Sequence, residues 1–543
     1  MRLFLVDGFV DEPTCLGVPP SIATYPRYIA GAAKLAGAEL EFRTIEEMRL
    51  REYRADGCDA MILVSGNPVP GKYLGGIPIR PDEFDLLARA NRKLPIYVGG
   101  PIRFENLPFS SPNLHIVRGD IERFAFGLLS GHEADGNCRT IEELNAYAEA
   151  GASLVTRYPR FPDVIVEIET GRGCPRREHC SFCIEGNYET DFRSPEAVAR
   201  EVAALYAAGV RHFRLGKQAD LFAYGSRLET WVEGFPKPEP EALRKLYALV
   251  REAAPDLSTL HLDNVNPGTI ARFPEESREI ARIVADADTP GDVAAFGMES
   301  ADPEVMRRNS LKASAEQVKL AVEIVNAEGS FRVDGVPKFL PGINLVRGLP
   351  GETRETFRLN HLFLKDVLDS GLMLRRINIR QVRRAPGTPL SAMADFDARE
   401  EKKLDAVFRR FRELIRDEVD EPMLRKVFPE GTLLRNLIVE SRRGDWSIAR
   451  PIGTYPVAVN LPRVYPLFTR LDAFVTGCRE RSLVGLEAPF HARRASLAEL
   501  RALPGLDRRA GELIARGGAT ESDLATLPVY PKIAPHLRFD DRP

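Results

Sequence analysis

Three of the seven cysteines of this chain lie close together, in the stretch GRGCPRREHCSFCIEG at residues 171–186. Cys174 and Cys180 are separated by five residues, and Cys180 and Cys183 by two. Iron–sulfur clusters are held by cysteine thiolates, normally four, and a cubane with three protein ligands leaves one iron open, much as catalytic zinc sites keep an open position. A structural zinc site with His179 as fourth ligand is the alternative, although His179 is adjacent to Cys180. The spacing favours an iron–sulfur cluster, and a structural zinc site stays open as the alternative.

The composition is that of an ordinary globular protein. The chain has 543 residues, of which 44% are hydrophobic and 28% charged, with a net charge of −3, and this length predicts three or four domains. No run of about 18 apolar residues occurs, which predicts no membrane span, and the start MRLFLVDGFVDEP lacks the features of a signal peptide. We therefore expect a cytoplasmic location, where clustered cysteines more often bind metal than form disulfides.

The first 130 residues alternate strand-like and helix-like segments. RLFLVDGF, AMILVSG and LPIYVGG are short apolar runs, and YPRYIAGAAKLAG is typical of a helix that ends at Gly37. The pattern predicts a Rossmann-like α/β domain over residues 1–130, with a parallel sheet and helices on both faces, followed by a linker over residues 131–150. Ligands of such sheets bind at the carboxyl ends of the strands. The residues at these ends are Ser65, Gly66, Asn67, Gly99, Gly100 and Pro101.

Residues 151–395 continue the alternation, and the chain then changes character. Six strand candidates, DVIVEIET, HFRLGK, TLHLDNV, VAAFGMES, LPGINLVRG and RRINIRQV, predict a complete or partial (β/α)6 barrel with its active site at the carboxyl ends of the strands. The three cysteines follow the first of these strands. Residues 396–430 predict a charged helical connector, residues 431–490 a small β barrel, and residues 491–543 a helical tail.

Four ordered motifs resemble those of the radical SAM (S-adenosylmethionine) superfamily. They are the cysteine stretch, FGMESADPEVMRRNSLK at residues 296–312, INLVRGLPGETRETF with GLPGET at residues 348–353, and RRAPGTPL with PGTPL at residues 386–390. The usual spacing of the family is C-x3-C-x2-C, so the first loop of this chain is enlarged. In the family the aromatic residue before the last cysteine, here Phe182, lies near the SAM adenine. Glu299 and Ser300 match a pair near the ribose.

The resemblance implies a [4Fe–4S] cluster on the three cysteines and SAM as cofactor. It implies reductive cleavage of SAM to methionine and a 5′-deoxyadenosyl radical, with electrons from a flavodoxin-type or ferredoxin-type donor. Gln218 and Asn344 lie at positions that contact SAM in the family, but the sequence around each matches the family only in part. A structural role is the alternative for both. Glu299 has the alternative of a surface acid at a strand end. Thr353 in GLPGET suits a helix N-cap.

The N-terminal region resembles the cobalamin-binding domains of one branch of this superfamily, which also contains the methylthiotransferases. PPSIATYPRYIAGAAKLAG matches their entry helix, and PIYVGGPIRF their third strand. The D-x-H-x-x-G motif of many cobalamin proteins is absent, so cobalamin and a domain that binds no cofactor both stay open. A methylthiotransferase would need three N-terminal cysteines, and that pattern fails. We predict that the remaining cysteines are unligated small hydrophobic residues: Cys15, Cys58, Cys138 and Cys478.

The C-terminal region suggests the substrate. Residues 431–490 resemble a TRAM-like or OB-like barrel of RNA-modifying enzymes, and LRALPGLDRRAGELIARG resembles a helix-hairpin-helix with its hairpin at Leu503 to Asp507, as in an archaeal-type group of radical SAM proteins. Asp507 replaces the usual second glycine and would repel phosphate. The nucleic-acid contacts predicted are Arg442, Arg443, Arg479, Arg481, Gly505 and Arg508. RNA, with tRNA as the expected type, is one substrate class; the alternative is a protein or small metabolite, with purely structural C-terminal modules.

Overall fold

Parallel strands built from the short apolar runs organise the first half of the chain. The structure is a computed structural model that describes residues 1–12, 14–66, 75–105, 111–131, 138–393 and 403–540. The chain divides into two units: residues 1–287 with 382–394, and residues 288–381 with 395–543. The first unit contains the cysteine loop, and the second contains the C-terminal barrel.

The first unit alternates strands and helices along its whole length. Its strands are β1 Arg2–Asp7, β2 Asp11–Glu12, β3 Cys15–Leu16, β4 Ser21–Ile22, β5 Glu39–Thr44, β6 Ala60–Val64, β7 Ile96–Gly99, β8 Leu114–Ile116, β9 Ile165–Glu169, β10 Gly171–Arg172, β11 Asp191–Phe192, β12 His212–Gly216, β13 Trp231–Val232, β14 Phe235–Pro236, β15 Thr259–Leu262 and β16 Asn264–Val265. Its helices are α1 Thr24–Leu35, α2 Ile45–Leu50, α3 Pro81–Ala90, α4 Ile121–Ser130, α5 Ile141–Ala150, α6 Pro195–Ala207, α7 Pro240–Ala253, α8 Pro267–Arg272, α9 Pro274–Ala287 and the short Pro389–Ala392.

The N-terminal sheet has the strand order β5-β1-β6-β7-β8, and all its pairs are parallel. The three predicted strands are its central members, whose side chains are buried because helices cover both faces. Two edge strands were not predicted. The sequence of β5, ELEFRT, alternates charged and apolar residues, and β8 has only three residues, so neither carries the continuous apolar signal of a central strand.

A second parallel sheet has the order β15-β12-β9-β4. Strands β9, β12 and β15 are the first three strands predicted for the barrel, whereas β4 comes from the N-terminal region. Helix α5 occupies Ile141–Ala150, within the range predicted as a linker. A capping box between Thr140 and Glu143 begins this helix, which packs so closely on α1 that a Cβ on Gly31 would lie 1.9 Å from the Tyr147 carbonyl oxygen.

A fully buried ion cluster joins α1 to the second sheet. Arg27 of α1 donates to the Glu201 carboxylate of α6 at 2.5 Å and to the Glu167 carbonyl oxygen of β9 at 2.6 Å. Arg193 donates to the other oxygen of Glu201. The side chains of Arg27, Glu201 and Arg193 are all 0% exposed. Buried charges are tolerated only when they are paired, so this cluster fixes the position of α1 against the cysteine-bearing sheet.

The second unit begins with parallel strands in the order β17-β20-β21, which are the last three barrel strands that the sequence predicts. Its strands are β17 Asp292–Glu299, β18 Arg332–Val333, β19 Val336–Pro337, β20 Phe339–Arg347, β21 Arg376–Gln381, β22 Leu433–Arg443, β23 Trp446–Arg450, β24 Ala458–Leu461, β25 Arg470–Arg479, β26 Ser482–Ala488, β27 Phe490–His491 and β28 Leu537–Arg538. Its helices are α10 Pro303–Arg308, α11 Ala315–Gly329, α12 Arg354–Asp369, α13 Asp405–Ile415, α14 Glu421–Val427, α15 Leu497–Leu500, α16 Arg508–Gly517, α17 Glu521–Ala525 and α18 Tyr530–Ile533.

The small C-terminal barrel predicted from the sequence is present. Strands β22-β23-β24-β26-β25 close on themselves. The helical tail shares one core with this barrel, in which Phe474 and Leu486 pack with Leu500, Leu524 and Ile533. Because the tail buries its apolar face on the barrel, the two parts form one structural module.

Candidate functional site

The three clustered cysteines lie in a loop at the carboxyl end of β9. After Glu169, the chain forms β10, which pairs antiparallel with β11, so that residues 173–190 form a loop closed at its base. Gly173 at this base has φ +80°, and a Cβ there would lie 3.0 Å from the Glu189 carbonyl oxygen. The loop therefore projects from the sheet edge at which parallel α/β folds bind ligands.

The thiols of the loop are neighbours in space. Cys180 is buried, and Cys174 and Cys183 are partly buried. Burial raises the pKa of the Cys183 thiol well above its ordinary value, and negative charge on Glu185, Cys180 and Cys174 raises it further. Thiols with this mutual repulsion become thiolates when a cation lies between them. The donor set therefore fits a positively charged iron centre.

A single zinc ion and an iron–sulfur cluster place different demands on the distances between the three cysteine sulfurs. Zinc–sulfur bonds of about 2.3 Å in a tetrahedron bring ligand sulfurs to about 3.8 Å from one another. Among the described residues, which include the entire cysteine loop, no three His, Cys, Asp or Glu side chains are close enough to hold one ion. A cubane binds each thiolate to a different iron and requires no such approach. The Nε2 atom of His179 lies 3.3 Å from the Cys174 carbonyl oxygen, so His179 packs within the loop.

Two neighbouring segments hold the enlarged loop. In the hairpin β13–β14, the Gly234 carbonyl oxygen accepts a hydrogen bond from Arg177 N at 3.0 Å. The Arg177 guanidinium lies 4.8 Å from the ring centroid of Trp231 in the same hairpin. Leu390, at the end of the PGTPL motif, donates its N–H to the Ser181 carbonyl oxygen at 2.8 Å. The motif far along the sequence therefore contacts the residue between the second and third cysteines.

Gln218, a predicted SAM contact, has an unusual environment. The residue is 2% exposed. Neither the oxygen nor the nitrogen of its side-chain amide has a hydrogen-bond partner among the described residues. A buried amide without partners costs free energy, so Gln218 is arranged as a group that a ligand would satisfy. Phe182, the predicted adenine neighbour, is half-buried between Cys180 and Cys183.

A group of buried charged residues beside the cysteine loop was not predicted from the sequence. The ammonium of Lys217 lies 3.1 Å from the Glu12 carboxylate, and Thr14 donates its hydroxyl to Glu185 at 2.9 Å. Burial lowers the pKa of Lys217, but Glu12, Tyr25 and Glu185 outweigh this and hold it well above the ordinary value. These contacts join residues about 170 to 200 positions apart, so no local pattern could have revealed them. They attach the hairpin β2–β3 to the end of β12 and to the cysteine loop.

Glu299, Ser300 and Asn344 lie in the second unit: Glu299 ends β17, Ser300 follows it, and Asn344 lies within β20. Glu299 is 6% exposed and adopts φ +68° at an irregularity of β17, a conformation that is uncommon and costly for a residue other than glycine. Its carboxylate lies 3.4 Å from the Lys312 ammonium, and burial raises its pKa in spite of that contact. The alternative of a surface acid is thus wrong for Glu299. Ser300 caps the following turn by accepting from Asp302 N, and the amides of Asn344 and Asn378 are 3.1 Å apart.

The residues predicted as a cobalamin-like pocket are packed against the chain itself. A Cβ on Gly66 would lie 3.0 Å from Asp11 N, and one on Gly99 would lie 2.6 Å from the Ile121 side chain. Gly100 has φ +95° and faces the Ser65 carbonyl oxygen, and Ser65 and Pro101 are buried. Asn67 lies outside the described residues. These residues therefore support the close packing of chain segments.

The predicted nucleic-acid contacts separate into two groups. Arg443 is exposed and pairs in register with Trp446, whose ring lies 4.6 Å from the Arg479 guanidinium. Arg442, also exposed, donates to the Tyr465 carbonyl oxygen at 2.8 Å. We call the residues Arg442, Arg443, Trp446 and Arg479 the arginine–tryptophan patch.

The other predicted contacts are engaged within the protein. Arg481 is paired with Asp420 at 2.6 Å, and Arg508 with Glu512 at 3.0 Å. Gly505 has φ +85° in the hairpin turn. Asp507 caps α16 by accepting from Ala510 N at 2.9 Å, so this carboxylate occupies the helix N-terminus that a phosphate would otherwise use.

Within the part of the chain that the structure describes, no helix has both the length and the apolarity needed to cross a membrane.

Comparisons with known proteins show which domain contains the cysteine loop. Residues 168–360, which include the cysteine loop and Glu299, match the model of the Radical SAM superfamily. An uncharacterized protein of Archaeoglobus fulgidus is 43% identical over 514 residues, 93% of this chain and 93% of the relative.

Two further proteins are similar over part of the chain. The ribosomal protein uS12 methylthiotransferase RimO of Roseiflexus castenholzii is 26% identical over 261 residues, which are 46% of each chain. The solved structure of the radical S-adenosylmethionine methyltransferase TsrM from Kitasatospora setae, with tryptophan and a SAM analogue bound, matches with a TM-score of 0.49 at 16% identity, covering 72% of this chain and 74% of that one. The chain therefore belongs to one family with the Archaeoglobus fulgidus protein, and it carries the domain of the radical SAM superfamily.

Proposed function

We propose that this protein is a radical SAM enzyme that modifies RNA, with tRNA as the expected substrate, by methylation or a related functionalisation of a C–H bond. The observation that carries the enzyme class is the set of three closely spaced cysteines, with no fourth cysteine in the same loop, at the carboxyl end of a parallel strand. A [4Fe–4S] cluster bound there supplies one electron for the cleavage of SAM, taken from a flavodoxin-type or ferredoxin-type donor.

The residues of the chain have the task of binding and orientation. Cys174, Cys180 and Cys183 would hold the cluster, and its open iron would be available to SAM. Phe182 is assigned to the SAM adenine by the resemblance of the cysteine stretch to the family motif, and Gln218 offers a carbonyl and an amide to the polar groups of SAM. In the second unit, Glu299 and Ser300 are assigned to the ribose by the resemblance of FGMES to the family motif.

The assignment of Gln218 predicts that its substitution affects SAM binding and the stability of the protein differently. Gln218→Leu is expected to weaken SAM binding by about tenfold, since one hydrogen bond to a polar ligand contributes about 1.4 kcal/mol. The same change should leave the free energy of unfolding unchanged or raise it, because it removes a buried amide without a partner. Isothermal titration with SAM and urea unfolding measure the two quantities. A loss of stability without a loss of SAM affinity would assign Gln218 a structural role only.

The RNA substrate rests on the arginine–tryptophan patch of the closed C-terminal barrel. Guanidinium groups neutralise phosphate, and an aromatic ring beside them offers a surface on which a base can stack. Because the helical tail is part of the same core, we assign it to the support of this barrel, with Asp507 as a helix cap.

Removal of the patch should weaken RNA binding in a salt-dependent manner. The double variant Arg443→Ala with Arg479→Ala is expected to make the negative slope of log K against log [salt] shallower by about 1.4, at about 0.7 for each phosphate contact to a single strand. Filter binding of bulk tRNA at several salt concentrations measures the slope. Arg435→Ala is the matched control, since Arg435 is paired with Asp334 and Asp472 of the same unit. An unchanged slope in the double variant would remove the patch from the proposal.

The decisive experiment for the substrate is a comparison of tRNA nucleosides by mass spectrometry between a strain with the gene and one without it. We expect one modified nucleoside to disappear. A second candidate, a protein or small-metabolite substrate, is favoured by the ion pairs of Arg481 and Arg508 and by the Asp507 cap. Unchanged nucleosides together with no RNA binding at low salt would establish that alternative and contradict the RNA proposal.

We assign no step to cobalamin and keep it as a cofactor that the N-terminal domain would bind. The visible spectrum of protein incubated with hydroxocobalamin and then desalted tests this: a retained corrinoid spectrum would support binding, and its absence would remove cobalamin from the proposal. We further propose that the enzyme acts in the cytoplasm, where its thiols stay reduced.

A further inference from the structure

The enlarged loop between the first two cysteines places a buried cation against a cluster ligand. Arg176 follows Cys174 by two residues and is 7% exposed. Its Nη1 atom donates to the Cys180 sulfur at 3.4 Å. We propose that Arg176 is a positioning residue that raises the reduction potential of the [4Fe–4S] cluster through this N–H···S hydrogen bond and its charge. The inference rests on the proposed function, because it concerns the cluster assigned there.

The guanidinium of Arg176 is held in place from its other side. It lies 5.1 Å from the ring centroid of Phe235 in β14, and Arg272 lies 4.1 Å from the same centroid. Arg272 is itself paired with Glu233 at 3.0 Å. Phe235 is 2% exposed, so water does not replace these contacts, and the hairpin β13–β14 fixes both the loop backbone and the arginine.

Reduction adds one negative charge to a centre that already carries three thiolates. Hydrogen bonds to the sulfurs and nearby positive charge stabilise the reduced state, and both set the potential of iron–sulfur clusters. These interactions are strong at this site because Arg176 and Cys180 are buried, where the dielectric constant is low.

The test is a redox titration of reconstituted protein, followed by EPR of the reduced cluster. In Arg176→Gln we expect a more negative midpoint, such that the ratio of reduced to oxidised cluster at the wild-type midpoint falls about tenfold, which equals 59 mV for a one-electron couple. Arg177→Gln is the matched control, because Arg177 is adjacent but exposed and stacks on Trp231; its midpoint should equal that of the wild type. An unchanged midpoint in Arg176→Gln, at equal iron content, would overturn the inference.

A second measurement needs no variant that might lose the cluster. Wild-type protein containing arginine labelled with ¹⁵N only at the guanidinium should show a ¹⁵N coupling in pulsed EPR of the reduced cluster, and Arg177→Gln should retain it. The absence of this coupling in wild-type protein with about four irons would contradict the contact. Wild-type protein that assembles no four-iron cluster would instead overturn the proposed function, and this inference with it, so iron analysis distinguishes the two failures.

Discussion

Cys183→Ala is expected to lower the iron content and to abolish the reductive cleavage of SAM. The cluster carries the chemistry of the enzyme, and with two thiolates left it has neither its third protein ligand nor a fixed open iron. The loss of activity should exceed about 100-fold, the upper end of what changes to residues behind a metal ligand produce. Formation of 5′-deoxyadenosine by anaerobically reconstituted protein, with dithionite as reductant, measures the effect, and wild-type protein should hold about four irons.

The control for this experiment is Cys478→Ala. Cys478 lies in β25 of the C-terminal barrel, where burial raises the pKa of its thiol to about 11. It should therefore behave as an inert small hydrophobic residue, and iron content and SAM cleavage should match the wild type. SAM cleavage at the wild-type rate in Cys183→Ala would refute the assignment of the cluster ligands.

Glu201→Ala should destabilise the first unit by about 3–5 kcal/mol. The change leaves Arg27 and Arg193 buried without their carboxylate, and breaking a buried ion pair in this way is among the costliest single substitutions. Urea unfolding followed by fluorescence measures the loss. The chain has two tryptophans, Trp231 in the first unit and Trp446 in the second, so a Trp446→Phe background makes the signal report on the first unit alone.

The control for Glu201→Ala is Glu149→Ala. Glu149 forms an ion pair with Arg200, which lies on the same helix as Glu201, but both side chains are more than half exposed. Such a surface pair contributes about 0–1 kcal/mol. A loss in Glu201→Ala as small as in this control would show that the buried cluster does not stabilise the unit.

The pH dependence follows from the same contacts. Burial raises the pKa of Glu201, but Arg193 and Arg27 outweigh it, so the pKa is held below the ordinary value. The stabilisation is complete above about pH 4.3, the ordinary value for Glu, and is lost as the pH falls toward the lower pKa of the folded state. The difference between wild type and Glu201→Ala should therefore shrink on acidification below about pH 4.3.

Local sequence was sufficient to predict the central strands and to indicate a metal centre. Strands such as β1, β6 and β9 are runs of apolar residues, and burial on both faces demands that pattern wherever they lie in a parallel sheet. Three closely spaced cysteines are a local signal as well, because thiolates are the ligands that iron–sulfur clusters require. Edge strands such as β5, with one face in water, carry a weaker signal and were missed.

The tertiary structure decided which polar side chains act together. The pair of Lys217 with Glu12, the N–H···S contact of Arg176 with Cys180 and its support by Phe235 all depend on the approach of segments that are distant in sequence, or on the path of one irregular loop. Asp507 shows the reverse case: its residue type suggested repulsion of phosphate, and the structure makes it a helix cap. Hydrophobic periodicity is a property of neighbouring residues and can be read along the chain. The partner of a buried charge is fixed only when the chain has folded, because burial and distance, not residue type, set the strength of the interaction.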